Sequence, residues 1–197
     1  VEAIKEGAYD YLEKPVQPER MLKIVNKALE AREMVSSLAI SNPVFDDDTE
    51  SEFVGSSSQM KKIFELIYRL AKVDTNVLIR GENGTGKELV AKAIHFNGPQ
   101  KNGPFIAINC GAIPENLMES EFFGHEKGAF TGATERKIGR FQTASAGTLF
   151  LDEIGEISPA MQVKLLRFVE DKIFTRLGGR EELKVDLRII AATNQDL

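Results

Sequence analysis

What the sequence lacks narrows its class before any motif is read. A single cysteine, Cys110, among 197 residues excludes an intramolecular disulfide framework and suits a reducing, cytoplasmic setting. There are two histidines, and no His/Cys spacing of the kind that holds zinc, so no zinc module is expected. No apolar run approaches the roughly 20 residues of a membrane helix, and no membrane partner is expected. The opening Val1-Glu2-Ala3-Ile4-Lys5 lacks the charged-then-apolar plan of a secretory signal. No Lys/Arg run marks a nucleic-acid surface, and the net charge is −5. Any direct contact with DNA is therefore expected outside this chain. Met is absent from the start, which falls in the middle of a helical pattern, and the chain is expected to be a piece of a longer protein.

Apolar residues make up 42% and charged residues 28%, the balance of a soluble globular protein. The length holds one full domain and part of another. Residues 1–17 read as a helix, a short strand from Tyr9 to Leu12, and a turn at Lys14-Pro15. Residues 18 to about 40 read as one long helix, because Met21, Ile24, Val25, Ala28, Ala31, Val35 and Leu38 recur at spacings of three and four. That stripe fits either packing on its own domain or pairing with a second copy as a short coiled coil. Ser41-Asn42-Pro43 to Ser51, with the acidic run Asp46-Asp47-Asp48, is linker by composition. From Glu52 onward helices alternate with apolar strands: Val77–Ile79, Phe105–Ile108, Leu149–Leu151 and Leu187–Ala191. Such strands imply an α/β fold with a mainly parallel sheet covered on both faces.

The first of these strands runs into Gly81-Glu82-Asn83-Gly84-Thr85-Gly86-Lys87-Glu88, with a helix following through Ile94. G-x-x-x-x-G-K between a strand and a helix is the P-loop context. The glycines let backbone N–H groups converge on phosphate oxygens, the helix N-terminus adds a positive dipole end, and Lys87 supplies a mobile charge. Glu88 stands where a Ser/Thr ligand for Mg²⁺ is usual. A plain Gly-rich strand-to-helix turn is the other reading of the segment. A second half of the site lies at Gly147 to Glu153, an apolar strand ending in Asp152 and Glu153. Ligands in open α/β sheets bind beyond the carboxyl ends of strands, which places these acids beside the P-loop. One carboxylate can organise Mg²⁺, and its neighbour can orient a water for attack on a γ-phosphate. The two acids could instead cap the next helix. Ala191-Ala192-Thr193-Asn194 ends another strand, where Asn194 can reach a phosphate, although Asn also commonly ends strands.

Between these motifs stands Gly128-Ala129-Phe130-Thr131-Gly132-Ala133. Glycines flank a large apolar side chain and a hydroxyl, so backbone freedom surrounds two groups suited to contact. By itself the segment could equally be a structural turn with a buried Phe. The hexapeptide resembles the hallmark of NtrC-type, sigma-54-dependent activators of the AAA+ family. Asn109-Cys110, Glu121 to Glu126, Ile154-Gly155-Glu156 and Leu165-Leu166-Arg167 also look like that family, over residues 52–197. Glu88 is what the family usually carries after the P-loop lysine; Asn83, where Ser is more frequent, departs from it.

The resemblance implies a truncated AAA+ ATPase domain over 52–197, with ATP and Mg²⁺ as its ligands. It gives residues 81–88 to the nucleotide, Asp152 to Mg²⁺, Glu153 to the attacking water and Asn194 to γ-phosphate sensing. Asn109 is similar in position to the residue that holds the catalytic Glu inactive until remodelling is needed. Phe130 and Thr131 would engage sigma-54 RNA polymerase from the tip of a loop spanning 128–133. Residues 1–33 resemble the end of a two-component receiver domain, with 34–51 as linker. By that likeness Lys14 would contact an aspartyl phosphate formed by an upstream sensor histidine kinase, Tyr11 would switch rotamer, and Pro15 is a candidate cis peptide. Self-association is implied too, as a dimer through receiver and linker and as an active hexamer or heptamer. Arginine fingers, a helical lid and a DNA-binding domain are expected beyond residue 197, so this chain alone is expected to hydrolyse ATP poorly. The alternative is a nucleotide-gated binding module without productive turnover. Cys110, His95 and His125 are expected to be structural.

Overall fold

A computed structural model describes residues 18–26 and 57–195. Lys14, Tyr11, Pro15, the linker over 34–51 and most of the long-helix prediction lie outside the described residues. Residues 18–26 are helical and carry exposed Met21, Leu22 and Val25.

From residue 57 the elements run in chain order as α1 (Ser58–Ala71), β1 (Val77–Arg80), α2 (Lys87–Phe96), β2 (Phe105–Asn109) and α3 (Glu115–Phe123). A short hairpin follows, β3 (Gly124–His125) and β4 (Lys137–Ile138), then α4 (Arg140–Thr143) and β5 (Thr148–Asp152). A 3₁₀ turn (Ile154–Glu156) leads into α5 (Pro159–Asp171), a second hairpin of β6 (Ile173–Thr175) and β7 (Glu182–Lys184), and β8 (Arg188–Thr193). The main sheet is wholly parallel, in the order β1-β8-β5-β2. The two inner strands are nearly continuous apolar runs and are buried on both faces, as the sequence pattern requires. The two outer strands are not: burial alternates along β1, where Leu78 is half exposed, and in β2 only Ile108 is buried.

Local sequence sets the helix limits. In α2 the buried positions Lys87, Ala91, Ile94 and His95 fall on one face, and the helix stops at Asn97-Gly98-Pro99, where the Asn97 side chain donates to the Ala93 carbonyl at 2.8 Å. Proline cannot continue the helix. In α5, Pro159 takes the first helical position, where its missing N–H costs nothing. Met161, Leu165 and Phe168 form its buried stripe, and Lys172 closes it in a left-handed conformation with its N–H on the Phe168 carbonyl. The core on this side of the sheet gathers around Phe141, whose ring stacks on Phe168 at 3.9 Å and meets Phe122 and Phe123 edge-on at 5.5 and 5.0 Å. Truncating such a ring to Ala costs about 3–5 kcal/mol. Arg188, read from sequence as part of an apolar strand, is fully buried at the start of β8. Its guanidinium donates to the carbonyls of Leu70 at 2.7 Å and Thr75 at 3.3 Å, a cation satisfying the C-terminal end of α1.

Candidate functional site

A parallel sheet brings all its strand C-termini to one edge, and here that edge collects the predicted residues. Register pairs Arg80 with Thr193 across β1 and β8, and Asn109 with Asp152 across β2 and β5. Along the edge the order is therefore P-loop, Asn194, the Asp152-Glu153 pair, and Asn109. The strand of the acids is not the neighbour of the P-loop strand; β8 lies between them and places Asn194 there. At about 4.8 Å per strand step, the acids begin two steps from the loop.

In the P-loop, the N–H of Gly81 extends the sheet pairing to the Thr193 carbonyl at 3.2 Å. Gly84 and Gly86 then take φ of 77° and 84°, a region closed to most side chains. Thr85 Oγ1 donates to the Glu82 carbonyl at 2.8 Å. Lys87 opens α2 and folds over the loop, its Nζ donating to the carbonyls of Gly81 and Glu82, both at 3.0 Å. Lys87 is thus buried, with only 8% of the residue exposed. Glu82, Asn83 and Gly84 line the exposed rim of the turn. Glu88 points away along the helix and pairs with Lys92 at 3.0 Å, a surface pair of small energy.

At the other side, Asp152 is half-buried and accepts the backbone N–H of Glu153 at 3.0 Å. Glu153 holds φ of 54° without being glycine, a strain of about 1–3 kcal/mol that typically marks a site. This turn aims its carboxylate at Gly111: a Cβ built there would stand 2.6 Å from Glu153 Oε2 and 3.4 Å from Asn109 Oδ1. Asn109 Oδ1 accepts the Ala112 N–H at 2.9 Å, leaving its amide nitrogen as the donor. Cys110 is 1% exposed. Burial, then the charges of Asp152 and Glu153, push its thiol up to about 12, so it is a core residue and no nucleophile. Beyond Asn194, Gln195 donates its backbone N–H to buried Thr193 Oγ1 at 3.0 Å and its side-chain amide to Glu156 Oε1 at 2.7 Å. The end of β8 is thereby tied to the turn that follows Glu153. Gly111 and Gln195 went unread in the sequence, and Glu156 was read only as part of the family resemblance; the places of all three around Glu153 arise from packing.

The hexapeptide forms a loop above the β3–β4 hairpin. Gly128 donates to the Ala133 carbonyl at 2.8 Å and Ala133 to that of Phe130 at 3.0 Å. Gly128 and Gly132 adopt φ of 81° and 107°. Phe130 is 38% exposed and Thr131 is exposed, so the Phe is not a buried structural residue. Below the tip, buried Arg176 reaches Glu126 at 3.0 Å and Gln142 at 2.8 Å, and Ala129 closes on Gly178 of the second hairpin. His125 and His95 are both buried and hydrogen-bonded, to Ser120 and Thr148 respectively.

Among the described residues no group of three or more His, Cys, Asp or Glu could hold a metal. No described helix is long and apolar enough to cross a membrane.

The family profile "Sigma-54 interaction domain" matches residues 53–197. The chain is 50% identical over 193 residues to the DNA-binding transcriptional regulator NtrC of Bradyrhizobium sp. (strain RP501 Parasponia), covering 97% of this chain and 39% of that protein. It is 48% identical over 198 residues to the response regulator protein PilR of Pseudomonas aeruginosa, covering 100% of this chain and 42% of that one. Among solved structures, NtrX from Brucella abortus in complex with ATP superposes with a TM-score of 0.68 at 37% identity, over 99% of this chain and 43% of its own. The chain spans about two fifths of the length of the curated relatives it matches. With an α/β P-loop core of the AAA+ type and an intact hexapeptide loop, the chain belongs to the sigma-54 interaction domain family and is similar to NtrC-type activators.

Proposed function

We propose that this chain is the motor part of a transcription activator that hydrolyses ATP as an oligomer to remodel sigma-54 RNA polymerase for promoter opening. The observation that carries the reading is the shared sheet edge, where the P-loop with Lys87 follows β1, Asn194 follows β8, and Asp152 and Glu153 stand at the end of β5. Lys87 exchanges its two loop carbonyls for β- and γ-phosphate oxygens, with the helix N-terminus behind it. Asp152 would hold Mg²⁺ beside the phosphates, where the ion would supply charge neutralisation. Glu153 polarises a water for in-line attack on the γ-phosphorus, releasing ADP and phosphate. Asn109 restrains Glu153 until remodelling is required, and their common approach to Gly111 supports that role.

Asn194 senses the γ-phosphate. Its change of contact passes through Gln195 and Glu156 to the turn that carries Glu153, a local event that a bistable segment can amplify. Phe130 and Thr131 meet sigma-54. The activity is controlled by phosphorylation of a receiver domain that includes Lys14 and Tyr11, under a sensor histidine kinase, in a cytoplasmic protein that reaches DNA through another domain. The names of NtrC and PilR, a transcriptional regulator and a response regulator, support this part.

Thr131→Ala in the full-length protein tests the division of labour. ATP hydrolysis should persist while transcription is lost. Collapse of both together would remove the loop's standing as a dedicated contact.

A further inference from the structure

The contact loop has little of its own to hold its exposed aromatic in one pose. A Cβ built on Gly128 or on Gly132 would meet nothing within 4 Å, so both hinges stand in open space. The backbone bonds of the loop close its ends and leave the Phe130 side chain unspecified. Among the described residues, one ring contact specifies it. The His125 ring stands at 5.0 Å from the Phe130 ring with an interplanar angle of 69°, the edge-to-face arrangement that aromatic quadrupoles favour.

His125 is itself held from several sides. Its backbone pairs with Lys137 and bridges to Leu177. Its Nδ1 lies 2.7 Å from the hydroxyl of Ser120 on α3, and Ser120 and His125 are 5% and 9% exposed. The same helix carries Phe122 and Phe123, both packed on Phe141 in the core. A rigid path thus runs from the core through Ser120 to the His125 ring, and from that ring to Phe130. Burial of both Ser120 and His125 removes them from reach of a substrate, so the pair is no nucleophile and base.

We propose that His125 is a positioning residue of the contact loop: its ring, oriented by Ser120, braces Phe130 in the pose that meets the protein partner. The proposal rests on the reading of residues 128–133 as the sigma-54 contact. Bracing pre-orders the aromatic, so binding costs less side-chain freedom. Two substitutions separate the ring from the hydrogen bond. His125→Phe keeps an aromatic edge against Phe130, and His125→Asn keeps a partner for Ser120 without a ring.

The experiment uses the full-length protein, with sigma-54 binding measured in ADP and aluminium fluoride, and ATP turnover measured in parallel. His125→Ala and His125→Asn should weaken sigma-54 binding about threefold to tenfold, the range of one aromatic pair, with ATP turnover retained. His125→Phe should bind as the parent does. Where the buried Ser120 hydroxyl left unpaired by His125→Phe disturbs folding, Ser120→Ala/His125→Phe removes it and carries the same expectation. Parent-like binding by His125→Asn would overturn the proposal, as would weak binding by the Phe variants with turnover intact. Phe130→Ala is the separate control: if it binds sigma-54 as the parent does, the loop is not the contact, and the fault lies with that reading and not with His125.

Discussion

Gly111→Ala puts one methyl group into the space where Glu153 and Asn109 converge. Gly111 is not among the residues of positive φ, so alanine takes its backbone conformation without strain. The new Cβ would stand 2.6 Å from Glu153 Oε2, and ordinary contact begins near 3.4 Å, so the carboxylate has to retreat by roughly 0.8 Å. It is the far end of a flexible side chain and can do so cheaply. Stability should therefore change by less than about 1 kcal/mol, helped by the reduced freedom of the unfolded chain. Catalysis should not be spared. Displacing a catalytic group by about 1 Å costs on the order of 100-fold, so a fall in kcat of about tenfold to 100-fold is expected. Nucleotide affinity should hold, because Lys87 and the P-loop are untouched. The assay is steady-state ATP turnover in the full-length protein, with nucleotide affinity from an independent titration and unfolding by urea. A kcat equal to that of the parent would refute the dependence of turnover on the arrangement of Glu153 and Asn109 around Gly111.

Three other outcomes are expected. Lys87→Ala should weaken ATP binding by at least about tenfold, since charge-assisted bonds contribute about 1.5–3 kcal/mol each; unchanged affinity in a fluorescent-nucleotide titration would remove Lys87 from the phosphate site. Burial holds the His95 imidazole below its ordinary value of 6.5, so the unfolded chain takes up the proton first. The stability that the neutral ring contributes is complete above pH 6.5 and is lost as the pH falls below it towards the depressed folded value. Between about pH 7.5 and pH 5.5 the melting temperature should drop more in the parent than in His95→Gln, and equal drops would contradict this. Cys110, with its thiol pushed up to about 12, should resist iodoacetamide when folded and react once denatured, and rapid labelling of the folded protein would show the burial to be wrong.

The four strands of the main sheet were legible as apolar runs, three of them ending in a punctuating motif: Gly81 after β1, Asp152-Glu153 at the end of β5, Asn194 after β8. Their order was not legible. Nothing in the sequence says that β8 enters between β1 and β5, because that depends on which edges pair once the helices have covered the faces. The outer strands are less buried than their apolar sequence suggests, with Leu78 half exposed. In the inner strand β8, Arg188 looks like an interruption of an apolar run, yet its burial is tolerable because the carbonyls of Leu70 and Thr75 accept hydrogen bonds from its guanidinium. The second hairpin was missed although Gly178-Gly179 sits between short alternating segments; three-residue strands give too little period to register. The bracing of Phe130 by His125 had no sequence signal at all, since a histidine five residues away can face any direction until the β3–β4 register is set.

Promoter opening by sigma-54 RNA polymerase tests the central claim most directly. The measurement uses the full-length protein, with ATP in one arm and a non-hydrolysable analogue in the other. Opening with ATP alone is the result expected of a motor that couples hydrolysis at the sheet edge to the loop at Phe130 and Thr131. Opening with the analogue would contradict it in favour of a nucleotide-gated binding module. No opening with either nucleotide, while ATP is still hydrolysed, would mean that the loop serves a different partner.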